Sequence, residues 1–218
     1  MINAVFANMV VLFVSLPAIS FGQLVYEQNF GDLFRNGGLN TKDREITLEN
    51  ENNTEFVRLG KTMNRSAILL RADDFQCGRI EMVVRGMDIF QGSFVGIAFH
   101  ALNDSLFDLV YCRPFNFRTS DSARRIHMIQ YACFPALDWQ ILRSQYNGIY
   151  EKGIENPPEA NEWFKLTLEI NEKTVKAFIN YSNSPSLVIE KLNNNLIGKV
   201  GIFGTNADFE SIRIEYEK

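Results

Sequence analysis

The residues with chemical potential are concentrated in the middle of the chain. His100 and His127 are its two histidines, and around them lie Tyr111, Arg113, Asn116, Arg118, Arg125, Gln130, Trp139 and Arg143. Imidazole titrates near neutrality, so either histidine suits a general base or a metal ligand, with Asp108 or Asp121 as the assisting carboxylate. The arginines, Asn116 and Gln130 offer directional hydrogen bonds, while Tyr111 and Trp139 offer flat apolar faces. Sugar rings need both, since they present C–H faces together with hydroxyls. A plainer alternative is that Arg113, Arg118, Arg124, Arg125 and Arg143 pair with Asp104, Asp108, Asp121, Asp138 and Glu151 as surface ions.

Other chemistries lack their signatures. A glycosidase needs two carboxylates flanking the scissile bond, yet Glu-x-Asp, the start of the Glu-x-Asp-x-x-Glu strand motif, occurs nowhere. The chain also has no Gly-x-Ser-x-Gly elbow, phosphate-cradling glycine loop or His-Glu-x-x-His helix. No cofactor is required by these residues. A His/carboxylate site assembled from separate strands and a structural calcium held by loop carbonyls and Asp32 or Asp208 are the metal sites the sequence leaves open.

These groups must be placed by strands. From Gln23 onward, short alternating or apolar segments recur between Gly, Asn, Asp and Pro residues, and no long amphipathic helix is apparent. Candidate strands in the chemical region are Phe94–His100, Phe107–Arg113, Arg125–Tyr131 and Asp138–Arg143. Trp163–Ile170 and Thr174–Tyr181 form the clearest hairpin, through Asn171-Glu172-Lys173. Alternation puts Val95, Ile97 and Phe99 on a core face, with Gly96, Ala98 and His100 opposite, where small residues would let a ligand approach the sheet. It also groups Arg125, His127, Ile129 and Tyr131 on one face. Gly148 to Asn161 reads as a surface loop. The expectation is an all-β, two-sheet antiparallel jelly-roll sandwich.

Composition agrees with this fold. The chain has 218 residues, 46% hydrophobic, 22% charged and 12% aromatic, with eighteen phenylalanines. Such a chain buries a core without disulfides or metal. Its net charge of −4 and lack of a basic block argue against nucleic acid as a partner. Cys77, Cys112 and Cys133 read as small buried hydrophobes, with Cys112 and Cys133 the one pairing to consider. Residues 1–22 carry an apolar run, Val10 to Leu16, ended by Pro17 and small residues. They read as a signal peptide cleaved after Gly22, leaving a single domain over 23–218 that is secreted or periplasmic, with no later membrane span.

The segments Phe94 to His100, Tyr111 to Arg118, His127 to Tyr131, Tyr150-Glu151, Trp163-Phe164 and Gly198 to Phe203 resemble the concanavalin A-like lectin/glucanase superfamily. They are near the laminin-G-like and 3-keto-disaccharide hydrolase-like jelly rolls of exported bacterial proteins. The resemblance implies a sandwich whose concave sheet handles an oligo- or polysaccharide. It does not carry over an activity, because the paired acids are missing and Met128-Ile129-Gln130 stands where a Glu-x-Gln strand motif would. The leading expectation is therefore carbohydrate binding or processing. A glycoside hydrolase or lyase using His127 or His100 is the first alternative, and a laminin-G-like protein-interaction module the second.

Overall fold

The computed structural model describes residues 24–39 and 45–217; the expected signal peptide lies outside them. Among the described residues, fourteen strands form two antiparallel sheets. The larger has eight strands, in the order β12 (Leu187–Glu190), β11 (Thr174–Ile179), β10 (Trp163–Ile170), β5 (Gly78–Arg85), β14 (Ala207–Tyr216), β3 (Thr54–Leu59) and β2 (Ile46–Glu51). Its eighth, β1 (Leu24–Asn29), pairs with the second half of β14 and leads into the short helix α1 (Phe30–Arg35). The smaller has six: β4 (Ile68–Leu69), β13 (Lys199–Thr205), β6 (Phe94–Asn103), β7 (Leu106–Cys112), β8 (Ile129–Phe134) and β9 (Glu151–Lys152). The jelly-roll sandwich expected from the sequence is the observed fold.

Alternation builds the core. Ile80, Met82 and Val84 of β5 and Phe164, Leu166 and Leu168 of β10 are buried, and face Val95, Ile97 and Phe99 of β6 and Val110 and Cys112 of β7. Each such side chain contributes roughly 1.5–3 kcal/mol on burial. Phe117, just after β7, packs edge-on against Phe164 of the other sheet at 5.5 Å. Cys77, Cys112 and Cys133 are free thiols. No helix among the described residues is long and apolar enough to cross a membrane.

Three local readings need correction. The expected strand Asp138–Arg143 is helix α3 (Trp139–Gln145), because the Asp138 side chain accepts from the Gln140 and Ile141 amides and caps it. Residues Arg125–Tyr131 do not begin as a strand. Asp121 caps helix α2 (Ser122–Arg125), and β8 starts only at Ile129, so Arg125 and His127 have no place in the strand alternation. Within the expected 148–161 loop, Glu151–Lys152 forms the edge strand β9.

His100 is the fourth correction. The β6–β7 register jumps between Phe99 and Asn103, and His100 has φ +48°. The irregularity turns its ring inward instead of onto the Gly96 face. There it is fully buried, stacks on Phe75 at 6.0 Å, and places Nε2 2.8 Å from the Gln76 carbonyl.

Candidate functional site

The outer face of the six-stranded sheet carries the site. Register places Phe203, Gly96, Tyr111, Gln130 and Glu151 in one row across β13, β6, β7, β8 and β9. Gly96 is required there, because a Cβ would collide with Tyr111 and the Val110 carbonyl. Its bareness lets aromatic rings close over the strand: Tyr111 lies 6.0 Å from both Phe94 and Phe203, and Phe203 lies 5.9 Å from Phe134. Phe115 continues this layer, edge-on to Phe94 at 5.6 Å.

Over this floor opens a cleft of about 260 Å³. Its aromatic lining is Phe94, Tyr111, Phe134, Phe203 and Trp139, and its polar lining includes Lys61, Asn64, Arg65, Gln91 and Thr205. One wall is the strap from Lys61 to Arg65. The Thr205 hydroxyl accepts from the Thr62 amide at 3.0 Å, and Arg65 donates to Asp138 at 2.9 Å. Asp138 thus both caps the helix that presents Trp139 and ties that helix to the strap.

A buried polar network adjoins the cleft through Tyr111. Arg113 donates to the Tyr111 hydroxyl at 2.7 Å and to Gln130 Oε1, while Tyr111 donates to the same Gln130 oxygen at 3.0 Å. Two donors on Oε1 fix the amide orientation and leave the buried Gln130 Nε2 without a hydrogen-bond partner among the described residues. Glu151, buried on β9, accepts from Arg143 Nε at 2.8 Å and Nη2 at 2.7 Å. Its Oε2 also lies 2.8 Å from His127 Nδ1 and 3.7 Å from Arg113.

Burial alone would raise the Glu151 carboxyl, but the bidentate Arg143 and the charges of Arg143, His127 and Arg113 outweigh it and hold the group below the ordinary glutamate value. For His127 the dominant cause is burial, reinforced by the two arginines, so its titration falls below the ordinary histidine value despite Glu151. The pair is therefore a carboxylate and a neutral imidazole at neutral pH.

The structure separates the expected site residues into three groups. Tyr111, Arg113, Gln130, Trp139, Arg143 and His127 converge on the cleft and its network. Asn116 supports them from beneath, donating to the His127 carbonyl at 3.0 Å and accepting from Arg124 at 2.9 Å. Arg118, Arg125 and Asp121 lie apart. Arg118 is exposed and pairs with Glu159 at 3.2 Å, Arg125 donates to the Thr119 carbonyl, and Asp121 is spent on its helix cap.

His100 and Asp108 belong to the interior. Asp108 accepts from the Tyr131 hydroxyl at 2.6 Å, and its other oxygen lies 3.7 Å from His100 Nδ1. Neither can reach a ligand in the cleft. The suggested calcium residues are also engaged: Asp208 binds Arg58 and Arg85 with both oxygens, and Asp32 pairs with Arg35.

Several cleft residues were not singled out from the sequence. Phe94 and Phe203 had a usable signal, since Phe94 shares the Gly96 face and Phe203 alternates with the core residue Ile202. The Lys61–Arg65 strap has no periodicity that would announce it.

No protein-family model and no curated protein matches the chain. Among solved structures, it is similar to a native glycosidic hydrolase, with TM-score 0.55 and 10% identity over 89% of this chain and 96% of that one. It is also similar to the exoplasmic/lumenal domain of VIP36 in a Ca2+/Man3GlcNAc-bound form, with TM-score 0.50 and 13% identity over 84% of each chain. At these identities the likeness shows the fold alone, a two-sheet antiparallel β-sandwich shared with these two structures.

Proposed function

We propose that the protein binds an oligo- or polysaccharide in the cleft on the outer face of its six-stranded sheet. The observation that carries this reading is the joint lining of one cleft by Tyr111, Phe203 and Trp139 together with Asn64, Arg65 and Gln91. The rings take the C–H face of a sugar, and the polar rim takes its hydroxyls. Two structural neighbours lend support, one described as a glycosidic hydrolase and one bound to Man3GlcNAc.

Binding is favoured over cleavage by how the nearby carboxylates are used. Glycosidases need two, about 5 to 10 Å apart, with one able to donate a proton. Asp138 caps α3 and holds Arg65, and Glu151 is gripped by Arg143 and kept ionised.

A glycan array followed by calorimetry on its hits tests the reading. Saccharide binding that Trp139→Ala weakens at least tenfold is the expected result. An array without hits, or hits indifferent to Trp139→Ala and Tyr111→Ala, would overturn it.

A further inference from the structure

The charges that line the cleft are all of one sign. Among the described residues, Lys61 and Arg65 are its charged lining, and no aspartate or glutamate contributes to it. The chain as a whole carries −4, so the sign belongs to this place and not to the composition. Just outside the lining, both oxygens of Asp138 are engaged, one by Arg65 Nη1 at 2.9 Å and the other by the Gln140 and Ile141 amides of α3. Glu151 is bound by Arg143 at 2.7 Å and lies 3.7 Å from Arg113. Lys61, Arg65, Arg113 and Arg143 thus stand around the aromatic floor against Asp138 and Glu151 alone, and the balance is positive.

Two of these cations have capacity left. Lys61 is exposed and has no ion pair among the described residues. Arg65 has a side chain 56% exposed and engages Asp138 through Nη1; no described residue hydrogen-bonds to its Nε or Nη2. Those two N–H groups lie parallel along one edge of the guanidinium, the fork that takes a carboxylate or sulfate bidentately. The strap that carries both residues is pinned to Thr205 and Asp138, so both cations are held on one wall of the cleft. We infer that the saccharide of this cleft is anionic, its carboxylate or sulfate ester received by Lys61 and the unused edge of Arg65 while its ring rests on the aromatic lining. This rests on the saccharide reading of the cleft and names the ligand class within it.

The probes are galacturonate oligosaccharides of two to six residues with their methyl esters, and sulfated carrageenan oligosaccharides with their desulfated forms. Each pair keeps the sugar backbone and differs in charge. They are titrated by calorimetry against wild type, Lys61→Met, Lys61→Glu and Trp139→Ala. At low ionic strength the wild type should bind one acidic series about tenfold more tightly than its neutral counterpart, the scale of a charge-assisted hydrogen bond. Because both cations are exposed, about 0.5 M salt should shrink that preference severalfold. Lys61→Met should reduce it and Lys61→Glu abolish it, each leaving the affinity of the neutral form within about twofold, since Lys61 has no partner in the fold to lose. Preference for the galacturonates identifies the anion as carboxylate, and preference for the carrageenans identifies it as sulfate.

Equal affinity for charged and neutral forms, lost in Trp139→Ala, would overturn the anion and leave the cleft reading standing. An acidic preference that Lys61→Glu leaves intact would overturn it too, by placing the anion elsewhere. Acidic binding unaffected by Trp139→Ala, or no binding by any probe, would overturn the cleft reading and the anion with it.

Discussion

The Arg143 guanidinium stands 5.1 Å from the centroid of the Trp139 ring while donating twice to the Glu151 carboxylate. One side chain thereby holds the indole at the cleft and anchors α3 to the edge strand β9. The aromatic wall is positioned by a buried charge.

Trp139→Ala removes contact surface with little cost to the fold, since the indole is only half-buried. Aromatic contacts are worth about 0.5–1.5 kcal/mol beyond burial. Combined with lost burial, the expected effect is at least a tenfold fall in saccharide affinity by calorimetry, with an unchanged far-ultraviolet spectrum.

Glu151→Gln acts on stability. It leaves Arg143 without a charged partner and Arg113 without its nearby one, and should fall toward the lower end of the about 3–5 kcal/mol typical of breaking a buried pair, because Arg143 keeps partial exposure. The pH dependence follows from the direction of the shift. Glu151 is held below its unfolded value, so its contribution is present above about pH 4.5 and is lost as pH falls through the lower folded value. Urea melts from pH 7 to pH 3 should therefore converge for wild type and variant at the acid end.

Arg65→Ala tests the strap. Arg65 is more than half exposed where it meets Asp138, so its loss should change stability by less than about 1 kcal/mol. Saccharide affinity should fall severalfold, because the wall opposite Trp139 loses its tie. Equal affinity in the two proteins would show that the strap does not shape the cleft.

Tyr131→Phe addresses the interior. It removes the donor to Asp108 and the acceptor for the Leu192 amide, leaving buried groups unpaired at a cost of about 1–3 kcal/mol. Saccharide affinity should be unchanged. A binding defect would mean that the interior pair of His100 and Asp108 communicates with the cleft.

The sandwich was legible in the sequence because its strands obey period two: Trp163–Ile170 has the bounds that alternation gives, and Phe94–His100 lies within β6. The site was legible in part, for the same reason. Gly96 and Tyr111 sit on regular strands, so their shared face could be read. His100 and His127 could not be placed this way, because a register irregularity turns one inward and a capped helical turn interrupts the alternation before the other. Alternation places Trp139 on a strand, but the Asp138 cap, a side-chain hydrogen bond that periodicity does not show, decides for helix. Glu151 could be read only as one of several acids able to pair with the arginines; which of them Arg143 and His127 meet is decided by segments brought together at the β8–β9 edge.

The two tryptophans report on opposite sheets. Trp139 lines the cleft, whereas Trp163 begins β10 on the larger sheet, packed on Phe56 and under Arg85. The most direct measurement is the pair of indole N–H resonances in a proton–nitrogen correlation spectrum as array-selected saccharide is added. The Trp139 signal should move and saturate while that of Trp163 stays fixed. A stationary Trp139, or movement of Trp163 in its place, would contradict a saccharide site on the six-stranded sheet.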